Sequence, residues 1–142
     1  MIDNAMRRSS FSFLAIALVA GMSMARADAQ VDQIEGAWQQ IASSAGACPK
    51  CRISIDQGGS SLIVIANNGW SASITTRENA DLPKASGVGR WGTNLTGAWA
   101  GKRFKVDFVL KDQRLIMSML VDMENGSKQM IHGVFGRPWF GA

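Results

Sequence analysis

The chain has 142 residues, 46% hydrophobic and 18% charged, with five Trp, no Tyr and a formal charge of +4. Its Lys and Arg are spread along the chain without an extended basic run, which argues against a nucleic-acid partner, since phosphate binding needs clustered cations. The length suits one domain around one core and excludes two.

In chain order, the first element reads as an export signal. Arg7 and Arg8 precede an uncharged, largely apolar stretch from Phe11 to Met24, and Ala25-Arg26-Ala27 offers an A-x-A cleavage site. Cleavage after Ala27, or after Ala29, is expected; an uncleaved N-terminal anchor is the alternative. Residues 1–27 thus form a cleavable signal peptide and 28–142 a single exported domain, periplasmic or secreted. No later stretch is long and apolar enough for a helical span. Removing 1–27, which carries three Arg against one Asp, lowers the charge to +2.

The remaining chain alternates apolar and polar residues between turn signals, a pattern of period two. The expected strands are Ile34–Ile41, Arg52–Gln57, Ser61–Asn67, Trp70–Arg77, Gly87–Trp91, Arg103–Lys111, Arg114–Asp122 and Lys128–Gly136. Eight short strands joined mostly by tight turns predict an all-β, antiparallel up-and-down meander, closed or nearly closed into a barrel that removes the free edges.

Cys48 and Cys51 are the whole cysteine inventory, as Cys-Pro-Lys-Cys. An oxidising compartment favours a local structural disulfide. A redox pair would want a helix N-terminus to stabilise its thiolate, and Arg52 onward reads as a strand. Zinc would need two further ligands, and haem attachment a His where Arg52 stands.

Turn chemistry predicts which side chains meet. Asn68-Gly69 and Asn125-Gly126 are strong type I′ signals, and Asp112-Gln113 is a further two-residue turn. The first pairs Ile65 with Ala72 and Ile63 with Ile74. A three-residue loop over Gly58-Gly59-Ser60 pairs Ile55 with Ile63 and Ile53 with Ile65, which keeps the isoleucines on one face. Asp112-Gln113 pairs Phe108 with Met117 and Val106 with Met119. Asn125-Gly126 then pairs Val121 with Met130, Met119 with His132 and Met117 with Val134. The expected interior is Ile53, Ile55, Ile63, Ile65, Trp70, Ile74, Phe104, Val106, Phe108, Met117 and Met119. Val109, Ile116, Leu120, Ile131 and Phe135 then face outward, for cover by Pro138-Trp139-Phe140 or as a homodimer surface. Asn79–Thr96 reads as a long loop over one barrel end, where binding functions often sit.

This register places the only histidine, His132, beside Met117, Met119 and Met130, a thioether-and-imidazole set suited to Cu(I) or Ag(I). Those residue types resemble the Met, His and Trp sets of small periplasmic copper-binding β-barrels, although core packing by Met is the plainer reading. Hydrolytic chemistry has little support: there is no Gly-x-Ser-x-Gly, any triad must use His132, and no carboxylate pair faces inward. No enzymatic activity and no cofactor is expected.

Ile34-Glu35-Gly36-Ala37-Trp38 resembles the opening of lipocalin-like (calycin) barrels, where a Gly-x-Trp begins the first strand. The resemblance implies an eight-stranded barrel whose open end binds a small hydrophobic molecule. It also implies that Trp38 closes one end near Arg137. The chain is shorter than typical members and lacks their Thr-Asp-Tyr-type motif and long C-terminal helix. The expected role is therefore a binding or interaction module for a small apolar ligand or partner segment. Trp70, Trp91 and His132 are its candidate contacts, because indoles offer large area with a polar edge. Soft-metal binding and thiol–disulfide exchange are the alternatives.

Overall fold

The structure, a computed structural model, describes residues 30–138. The expected signal peptide and the Trp139-Phe140 segment lie outside them. One helical turn over 30–34 leads into eight strands: β1 (Gly36–Ser43), β2 (Arg52–Gly58), β3 (Ser61–Ala66), β4 (Trp70–Thr76), β5 (Lys84–Trp91), β6 (Arg103–Lys111), β7 (Arg114–Asp122) and β8 (Lys128–Gly136). Each pairs antiparallel with the next, and β1 also pairs with β8, closing the meander into a barrel. Among the described residues no helix is long and apolar enough to cross a membrane.

Strand identity follows the alternation, but register follows the turns, and here three expectations are corrected. Asn68-Gly69 and Asn125-Gly126 are not two-residue turns. Type I′ needs positive φ at both central residues, and of each pair only the Gly has it. Each dipeptide instead ends a three-residue loop, 67–69 or 124–126, closed by Gly69 N–H to Ala66 C=O and by Gly126 N–H to Met123 C=O. The third loop, Gly59-Ser60, has two residues rather than three, with positive φ at Gly59 alone. Asp112 and Gln113 do form the expected two-residue turn, and their φ of 50° and 62° are those of type I′.

A one-residue slip turns every side chain of a strand to the other face. Ile53 and Ile55 therefore meet Ala66 and Val64, while Ile63 and Ile65 lie on the outside. Met119 pairs with Ile131 and Met117 with Gly133, so Met130 and His132 also lie outside. Ile131 and Phe135, expected on the surface, are buried; Val109, Ile116 and Leu120 remain on the outer face.

The interior is packed with side chains. Trp38, Ile55, Val64, Ile74, Val106, Phe108, Leu115, Met119, Val121 and Phe135 are all but fully enclosed. Small interior residues make room for large neighbours. A methyl group at Gly89 would collide with the Phe104 ring, and one at Gly133 would crowd Met117 and Phe135.

Candidate functional site

Connections in an up-and-down barrel alternate between its ends. The helical turn, the start of β1 and the end of β8 share one end. The loops 44–51, 67–69, 92–102 and 123–127 share the other. The long loop expected over Asn79–Thr96 is thus split: β5 begins at Lys84, leaving 77–83 at the first end and 92–102 at the second.

At the first end, Trp38 is 1% exposed and its indole N–H donates to Ile34 C=O at 2.8 Å. The Arg137 guanidinium lies 3.7 Å from the ring centroid, a cation–π contact. It also donates to Ala37 C=O at 3.1 Å and Gln33 C=O at 2.9 Å. Gly36, at φ +104°, gives it passage: a Cβ there would stand 2.9 Å from a guanidinium nitrogen. Burial pulls the Arg137 pKa below its ordinary value, yet a guanidinium stays charged throughout the physiological range.

At the second end, Trp70 and Trp91 face each other across β4 and β5, ring centroids 6.4 Å apart. The edge of Trp70 meets Phe104 at 5.6 Å, and Trp91 stacks on Trp99 of the covering loop at 5.9 Å. Leu95 and Trp99 pack onto the core from above. Its ties to neighbouring hairpins are Gly92 N–H to Gly69 C=O at 2.8 Å and an ion pair between Lys102 and Glu124 at 2.7 Å, and it closes on itself through Trp91 N–H to Lys102 C=O and Gly101 N–H to Gly92 C=O. Beside it, between the loop and the β7–β8 hairpin, opens a cleft of about 770 Å³ that Met123 helps to line. Trp91 is 8% exposed, and its Nε1–H has no acceptor among the described residues. A buried donor left unpaired costs about 1–3 kcal/mol.

Cys48 and Cys51, Cα atoms 5.3 Å apart, close as a disulfide in loop 44–51 at this same end. Gln39 donates to Pro49 and Cys51 C=O, and Asn67 spans from Arg52 N–H to Lys50 C=O, so the loop is bound to both neighbouring strands. Cys51 runs straight into β2, with no helix N-terminus beside it.

The four residues proposed for a soft metal are not brought together. Met117 and Met119 point into the barrel, Met130 and His132 away from it, because the three-residue loop shifts β8 by one position. The set expected for Cu(I) or Ag(I) therefore does not share one face of the sheet. Nor does His132 join Trp70 and Trp91, which are interior. Its Nδ1 lies 3.4 Å from Ser118 Oγ, while the nearest carboxylate in that row, Asp107, bonds to Ser86 and Arg77 instead. Among the described residues no carboxylate orients the imidazole as a triad requires.

Sequence reasoning missed Trp99 and Leu95. The aromatic-rich 91–99 stretch signalled them, but nothing local shows that this loop folds onto the core. No family model matches the chain, and no curated protein or solved structure matches it either.

Proposed function

We propose that the protein is an exported, lipocalin-like binding module. It takes a small apolar molecule carrying a hydrogen-bond acceptor at the end covered by loop 92–102. The observation that carries this reading is the orphaned Trp91 N–H inside an aromatic cluster. A donor there gains most from an acceptor that arrives with apolar surface around it. The eight-stranded meander and the stacked Trp38–Arg137 pair support the family reading. Because the interior is filled, the ligand takes the place of Leu95 and Trp99 rather than entering a hollow.

Nile red, neutral and bearing a carbonyl acceptor, is a suitable probe, read by its fluorescence. Trp91→Phe should weaken its binding about fivefold through one lost hydrogen bond, and Trp91→Ala more. Unchanged affinity in both folded variants would rule the reading out.

A further inference from the structure

The outer faces of β3 to β6 form a groove of about 680 Å³ that shares no lining residue with the cleft beside loop 92–102, although Phe104 reaches it from the aromatic cluster. Its depth follows from residue size. On β4 the outward positions are Ser71 and Ser73, which make a low floor. Ile63 and Ile65 stand along one side and Val88 on the other, with Ile65 53% and Val88 61% exposed. Apolar β-branched side chains turned to solvent in this number are unusual on the outside of a barrel whose interior is already full.

The far wall is cationic. Arg90 and Arg103 are direct cross-strand partners, and Lys105 lies opposite Val88 in the next row. Like charges facing each other across a sheet are destabilising. Among the described residues no carboxylate forms an ion pair with any of the three. Asp122 reaches the same groove, but Lys128 holds its carboxylate at 2.6 Å. The fold thus gathers three cations beside an apolar trough, none in an ion pair among the described residues, with the Asp122 carboxylate near enough to Lys105 and Arg103 to be attracted by both. In the sequence Arg90 stands well apart from the other two.

We infer that this groove binds a single-chain amphiphilic anion, its head between Arg90 and Arg103 and its alkyl tail along Ile63, Ile65 and Val88. Other occupants fit worse. A second copy of this chain centred on the groove would gather six cations into one two-fold interface. A peptide would lay backbone N–H and C=O groups on apolar walls, and the closed barrel offers no free strand edge to pair them. Three cations without an inserting apolar helix give only weak attraction to a bilayer surface. An alkyl chain brings no polar groups to satisfy, and its head supplies the missing counter-charge.

The test is amide chemical-shift mapping of the purified protein with dodecanoate below its micelle concentration. Dodecanol, phosphatidylglycerol vesicles and a glutamate-rich peptide serve as comparisons. Dodecanoate should bind with one-to-one stoichiometry and perturb the outward residues of β3–β6. The double variant Arg90→Gln, Arg103→Gln should bind it roughly tenfold more weakly while unfolding no earlier than the parent, since a repulsive pair has been removed. Val88→Ser should weaken it several-fold, and Trp91→Phe should leave it unchanged. Equal affinity for dodecanol, shifts confined to loop 92–102, or binding to vesicles or peptide in place of dodecanoate would each overturn the proposal.

Discussion

The barrel buries an indole near each end, and the two are treated differently. Trp38 has its N–H satisfied by Ile34, its face covered by Arg137, and a glycine cut away to let the guanidinium in. Trp91 is enclosed almost as well, yet its N–H meets no acceptor among the described residues, and the loop that covers it, closed on itself by two backbone hydrogen bonds, is tied by one backbone hydrogen bond to the β3–β4 hairpin and one ion pair to the β7–β8 hairpin. The first arrangement closes a barrel; the second leaves a polar atom unmet among the described residues, which is the basis of the proposed ligand contact. Enclosure is alike at the two rings, and hydrogen-bond satisfaction is what differs.

If that contrast is right, Trp38→Ala should cost about 3–5 kcal/mol of stability in chemical denaturation, the range for truncating a buried aromatic. A loss below about 1 kcal/mol would mean that the first end is not a structural closure. Arg137→Ala should cost about 2 kcal/mol by removing the stacked cation and two hydrogen bonds, with Arg137→Lys recovering only part of it. At the second end, replacing both Cys48 and Cys51 by Ser should lower stability by about 1–2 kcal/mol because the closed loop is short. The variant should remain folded by near-ultraviolet circular dichroism, since Gln39 and Asn67 still bind loop 44–51.

Trp91→Phe should change stability by less than about 1 kcal/mol, the lost ring area being offset by removal of an unpaired donor. Trp38→Phe, which also orphans the Ile34 carbonyl, should be clearly worse in the same thermal melt. The smallest effect is expected from acid. Hydrogen bonds from Lys102 and Lys128, reinforced by their charge, hold the Glu124 and Asp122 carboxyls below their ordinary values. Such groups contribute stability above their unfolded pKa and lose it as pH falls through the depressed folded pKa. Both are exposed, so the acid-side loss should be slight and should fade with added salt. Loop 92–102 should show it first by hydrogen exchange, because Glu124 is one of its ties.

Much of the architecture could be read from local pattern. Arg103–Lys111, Arg114–Asp122 and Lys128–Gly136 have the same bounds in the structure as in the alternation, and Asp112-Gln113 makes the two-residue turn expected of it. The candidate site was less legible. Trp70 and Trp91 do meet, but Trp99 enters from a loop without periodicity, and His132 drops out with the shift of β8. The Arg90–Arg103 pair was hidden because strand pairing, not sequence proximity, makes them neighbours.

Alternation of apolar and polar residues was therefore sufficient for eight strands and an antiparallel closed sheet, since each strand must bury one face. It could not choose between registers one residue apart. An Asn-Gly pair favours a two-residue loop but can also end a three-residue one. The choice between them rests on distant partners. Asn67 leaves the β3–β4 pairing to bind Arg52 and Lys50. Gly133, rather than His132, faces inward, where Met117 and Phe135 leave no room for a larger side chain. Space inside a closed barrel is shared among all eight strands, and no single hairpin encodes how it is divided.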